Sequence, residues 1–202
     1  MQKSYVPAFA LIVLCLIAFS MCDNCLAHSD WLIDNSGFKS KFESETPSQN
    51  AESQKFFRLT NGLVTRRFLF DSATGATVGL KNESNDTTVL RAVRPEAVVT
   101  INGTEYLVGG LTGQPNHAYL LDEWLDEMRP AENSLQLISY KTSPPVERLK
   151  WKQVRHHAPD VKWPPPGIKL TLEFGPRKTD KENRESKPDF RVFVHYELYD
   201  GV

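Results

Sequence analysis

Four carboxylates, Asp122, Glu123, Asp126 and Glu127, recur at i, i+3 and i+4 spacing within Leu120–Met128. On a helix that spacing puts carboxyl groups in pairs on one face, and such a pair could serve acid–base work. Leu121, Trp124, Leu125 and Met128 occupy the other face, so the acids read as the solvated side of a short amphipathic helix. His156, His157 and Asp160 carry zinc-ligand chemistry. Adjacent histidines on an extended chain point opposite ways, and Pro159 opposes the helix that would align His157 with Asp160. Only a loop could gather them, and no metal is expected. A Gly-Xaa-Ser-Xaa-Gly elbow is absent, and Gly109-Gly110 and Gly113 lack the lysine and helix start of a phosphate loop. No catalytic residue and no cofactor is assigned.

The aromatics offer a binding chemistry instead. Trp151, Trp163, Tyr106 and Tyr119 have the ring area to stack on a sugar, although large aromatics in a sheet protein ordinarily belong to the core. Trp163, set in Trp163-Pro-Pro-Pro-Gly167, is the best placed to stay exposed. Trp163 and Trp151 are the expected carbohydrate-binding residues. Asn82, Asn85 and Asn102 each begin an Asn-Xaa-Ser/Thr acceptor for N-linked glycan, and all three fall in predicted turns.

Residues 1–27 set the compartment. One lysine, an apolar run from Ala8 to Phe19 and the small Ala27 have the layout of a cleaved signal peptide. About 12 to 15 apolar residues fall short of the roughly 20 that span a bilayer, so no membrane association is expected after cleavage. The expected protein is secreted. Cys15, Cys22 and Cys25 all leave with the peptide, which excludes disulfides, thiol catalysis and thiolate metal sites from residues 28–202. A formal net charge of −1 provides no global field for nucleic acid.

The elements that must position these side chains are mostly strands. Residues 28–55 are polar, without sustained period, and read as a mobile leader whose Trp31, Leu32, Ile33, Phe38 and Phe42 could dock on the domain. Residues 56–202 form the predicted domain. Asn102-Gly103 can supply the two positive φ values of a type I′ turn, which makes Arg91–Leu111 a β-hairpin. Phe56–Thr60, Leu63–Phe70 and Ala76–Leu80 read as a meander, followed by strands at Thr87–Ala92, Leu135–Tyr140 and Leu149–Val154. Ile168, Leu170, Leu172 and Phe174 alternate with polar residues, giving one buried and one wet face. In the last strand Phe190, Val192, Val194, Tyr196 and Leu198 alternate with Arg191, Phe193, His195, Glu197 and Tyr199; the second set is amphipathic and invites partial cover. The fold class expected is all-β, an antiparallel β-sandwich of supersandwich type with one short helix.

Leu59–Arg66, Arg91–Gly110 and Val194–Gly201, with Trp163-Pro-Pro-Pro-Gly167, resemble the N-terminal β-sandwich that precedes the catalytic barrel in α-galactosidase-like glycoside hydrolases. That domain looks like the galactose-mutarotase supersandwich, and the similarity covers roughly Phe56–Val202. It implies a non-catalytic, carbohydrate-related module, because the family's nucleophile and acid–base carboxylates belong to the barrel. No catalytic residue carries over, and a C-terminal barrel beyond this chain is the implied partner. A strand at a terminus leaves one edge unpaired, which fits a domain incomplete at its C-terminal end. The competing expectation is an extracellular interaction or structural module with no sugar ligand.

Overall fold

A computed structural model describes residues 34–45, 55–150, 163–177 and 189–201. Ten strands run in chain order: β1 Lys41–Ser44, β2 Lys55–Thr60, β3 Val64–Phe70, β4 Gly75–Asn82, β5 Thr87–Thr88, β6 Ala97–Ile101, β7 Thr104–Val108, β8 Ser134–Ser143, β9 Gly167–Gly175 and β10 Val192–Tyr199. They form two five-stranded sheets, ordered β1-β2-β3-β4-β5 and β10-β9-β8-β7-β6. The fold is all-β and sandwich-like, as the alternation predicts.

Alternation decides what each sheet buries. Phe57, Leu59, Phe68 and Phe70 of the first sheet pack against Val108, Leu135, Leu170, Leu172 and Phe174 of the second. Burying such side chains stabilises by about 1.5–3 kcal/mol each. A bulge between Arg67 and Phe68 resets the register of β3 on β4, and Leu69, Ala76 and Val78 feed a second core on the first sheet's other side. Val93, Leu111, Leu125 and Met128 cover that side. The centre of the first sheet, in β3 and β4, is therefore buried on both faces, while the outer face of the second bears a mixture of polar and aromatic groups.

Asn102 and Gly103 adopt φ of 51° and 80°, both positive as the type I′ turn requires, and Ala97–Ile101 pairs with Thr104–Val108 across it. Within the segment read as a leader, β1 adds to β2 and stacks Phe42 on Phe57 with centroids 5.3 Å apart. The turn after β10 is clasped from the same region: Ser40 N and Oγ donate to Asp200 Oδ1, and Gly201 N donates to Phe38 O. Buried Asn61 closes the β2–β3 turn by accepting from Leu63 N and Val64 N, and its Nδ2 donates to Tyr199 O.

Three expectations need correction. The amphipathic helix over Leu120–Met128 is instead a 3-10 helix of three residues, Asp122–Trp124, followed by a turn. Its N-cap, Leu121, supplies no side-chain acceptor, and like charges at i, i+4 oppose a helix too short to stand alone. Leu125 and Met128 are nevertheless buried, whereas Leu121 is exposed. Second, the sheets are not wholly antiparallel, because β7 runs parallel to β8 through Leu107–Ser134 and Val108–Leu135. Third, Thr87–Ala92 yields only the two-residue β5, and Leu149 and Lys150 are not in a strand. Residues 151–154 of the strand predicted over Leu149–Val154 lie outside the described residues.

Candidate functional site

The outer face of the second sheet is built in cross-strand rows. Ser139, Glu173 and Phe193 form the first, Lys141, Thr171 and His195 the second, and Ser143, Lys169 and Glu197 the third; Gly167 opposite Tyr199 ends the series. Side chains in such rows stand about 5 Å apart from strand to strand. They are brought to one surface because Leu170, Leu172 and Phe174 commit the alternate positions to the core.

Trp163 closes this face at the β9 entrance. Its ring lies 5.6 Å from that of Tyr199, tilted by 54°, and the residue is 47% exposed. The Tyr199 hydroxyl donates to Glu197 Oε2 at 2.7 Å, and this bond, followed by burial, pushes the Tyr199 phenol pKa up. Glu197 Oε1 is buried without a hydrogen bond; its nearest cations are Lys169 Nζ at 3.8 Å and Arg148 Nε at 3.9 Å. One row along, Thr171 Oγ1 and His195 Nδ1 are 3.0 Å apart. Burial, and then the charges of Lys169 and Arg148, hold the His195 pKa below the usual histidine value, with Glu197 opposing them. The face thus combines two aromatic rings, a carboxylate and several donors. That is the composition that holds a polyhydroxylated ring, apolar face to aromatic and hydroxyls to polar groups.

An open cleft of about 530 Å³, sharing Ser139 with the first row, lies between Phe57 and Phe70 on one sheet and Leu137, Ile138 and Tyr140 on the other. Its polar groups are partly engaged: Asp71 Oδ1 accepts from Ala73 N and Thr74 N, and Ser139 Oγ donates to Glu173. The cleft has an apolar floor and the hydrogen-bonding capacity of Asp71 and Ser139 is partly taken up within the protein, so the outer face carries the better ligand chemistry.

The remaining predicted sites are scattered. Asp122 is engaged by Arg67, whose Nη1 donates to Oδ2 at 2.7 Å, while Glu123, Asp126 and Glu127 are exposed. Arg67 also bonds Glu45 and lies 4.3 Å over the Phe56 ring, which makes Asp122 an anchor for the loop. Tyr106 packs on Phe190, and Tyr119 stacks with His117 and Trp124, away from Trp163. Asn102 and Asn85 are exposed; Asn82 is half-buried and accepts from Ser84 N and Oγ. Trp151, His156, His157 and Asp160 lie outside the described residues. Among the described residues no three His, Cys, Asp or Glu side chains are placed to hold a metal ion, and no helix is long and apolar enough to cross a membrane.

No family model matches this chain, and no curated protein or solved structure matches it. Sequence reasoning named Trp163 but missed Tyr199 as its ring partner, and Glu197 and Lys169 further along the same face. The signal was the amphipathic second set of the last strand, whose Phe193, His195, Glu197 and Tyr199 now define the face.

Proposed function

We propose that this chain is a secreted, carbohydrate-related β-sandwich module that binds sugar without catalysing its cleavage, through Trp163, Tyr199 and Glu197 on the outer face of the second sheet. The observation that carries the reading is the Trp163–Tyr199 ring pair with the Glu197 carboxylate beside it. The resemblance to the N-terminal domain of α-galactosidase-like glycoside hydrolases supports the same class. Glycan-array binding with a Trp163→Ala control is the test. Wild type binds a subset of glycans and the variant loses them; equal signals, or none in either protein, reject the reading. A second reading, a protein-interaction module, draws on Phe193, which is 53% exposed on edge strand β10. It predicts a Phe193→Ala variant that loses partner capture with an unchanged glycan profile.

A further inference from the structure

The outer face of the second sheet carries an imbalance of charge. Lys169 in the third row and Arg148 beside it face one carboxylate, Glu197, while Lys141 stands in the second row opposite Thr171. Neither contact to Glu197 is within hydrogen-bond distance: Lys169 is 3.8 Å and Arg148 3.9 Å from Oε1. Lys141 has no ion-pair partner among the described residues. Beside the first row, by contrast, the one cation Arg191 is engaged by two carboxylates, Glu173 at 3.3 Å and Asp189 at 2.9 Å. Rows two and three, with Arg148 beside them, therefore set three cations against one anion next to the ring pair. The depressed His195 pKa reports the same field: burial is its first cause, but Lys169, Arg148 and Lys141 all act in one direction against Glu197 alone.

We propose that this face selects acidic glycans, sugar chains bearing carboxylate or sulfate groups, with Lys141, Arg148 and Lys169 meeting the anionic groups while Trp163 and Tyr199 stack on the rings. The proposal rests on the carbohydrate reading above and adds its substrate class. Exposed Lys141 and Arg148, the latter 61% exposed along its side chain, are free to move onto a ligand. Lys169, with its side chain only 11% exposed, is a fixed positive charge on the same face. Nucleic acid fits less well. Strong phosphate-driven binding draws on roughly six to ten cationic contacts, and the whole chain carries a net charge of −1.

The experiment is calorimetric titration of the full chain with a heparin oligosaccharide, a polygalacturonate oligosaccharide and a neutral maltooligosaccharide of equal length. A single-stranded oligonucleotide of matched charge is the fourth ligand. Wild type should bind at least one acidic glycan about tenfold or more tightly than the neutral one, with affinity falling as salt rises. The sulfated and carboxylated arms tell the two anionic groups apart. A Lys141→Gln/Arg148→Gln double variant, altered only at exposed positions, should lose about tenfold for the acidic glycan. Arg94→Gln, an exposed cation outside this face, should change nothing. Equal affinity for neutral and acidic glycans overturns the selectivity and leaves the carbohydrate reading standing. Failure to bind any glycan overturns both. An oligonucleotide bound as tightly as the acidic glycan, or a loss in the Arg94 control equal to that in the double variant, overturns the proposal in favour of unspecific polyanion attraction.

Discussion

Gly109 makes the tightest junction between the sheets, and replacing it with alanine should cost far more than replacing Gly103. Both have positive φ, 65° and 80°, so each alanine meets the left-handed penalty of about 1–2 kcal/mol. Their surroundings differ. A Cβ on Gly103 would find nothing within 4 Å, whereas one on Gly109 would overlap the Gly75 carbonyl oxygen and come 3.1 Å from Phe174 Cε1. Gly110 N donates to that same carbonyl at 3.2 Å, so the backbone cannot withdraw without losing this bond. Overpacking adds about 1–3 kcal/mol. Gly109→Ala should therefore lose about 2–5 kcal/mol, a large share of the roughly 5–15 kcal/mol that holds a domain folded, against about 1–2 for Gly103→Ala. Urea unfolding followed by tryptophan fluorescence gives both values. Equal losses, or a Gly109 variant within about 1 kcal/mol of wild type, would refute the junction between β7 and the start of β4.

Three further outcomes follow from the outer face and the β6–β7 turn. Glu197→Gln removes the charged acceptor that raises the Tyr199 phenol, so ultraviolet titration should find that tyrosine moved back toward its ordinary value near 10. His195, held low first by burial and then by its cationic neighbours, should titrate by NMR below the ordinary 6.5 and move upward when an acidic glycan binds. The depressed value means that the unfolded chain takes up the proton first. Its contribution to stability is complete above pH 6.5 and declines as pH falls through the folded-state value; a His195→Gln variant should flatten that part of the profile. Asn102, exposed at the tip of the β6–β7 turn, should carry glycan when the chain passes through a eukaryotic secretory pathway. Intact mass before and after enzymatic deglycosylation of wild type and Asn102→Gln reads this directly.

How legible the fold was depended on how local its cause is. The Asn102-Gly103 turn is written in adjacent residues and appears as expected; in β9 the alternation commits Leu170, Leu172 and Phe174 to the core, but Lys169 and Thr171, expected on a wet face, are buried as well. Strand β1 could not be read from four residues, Lys41–Ser44, in a polar setting; pairing along Phe57–Thr60 makes it a strand. The Leu120–Met128 pattern did mark buried positions at Leu125 and Met128, but it could not tell a helix from a turn covering a sheet. The parallel β7–β8 contact depends on the path of the intervening chain and has no local signature. At the candidate site, exposure of Trp163 was inferable from its prolines, whereas its meeting with Tyr199 required the register of β9 on β10. The β8 bulge between Leu137 and Ser139 likewise sets which residues share a row with Thr171.

The central claim, that sugar is bound on the outer face of the second sheet, is tested most directly by mapping a glycan hit onto the protein with amide and side-chain NMR shifts. The account predicts saturable changes concentrated at Trp163, Thr171, His195, Glu197 and Tyr199, with the cleft residues Phe57, Phe70 and Tyr140 unmoved. Shifts confined to the cleft, or spread without saturation over both sheets, would contradict it.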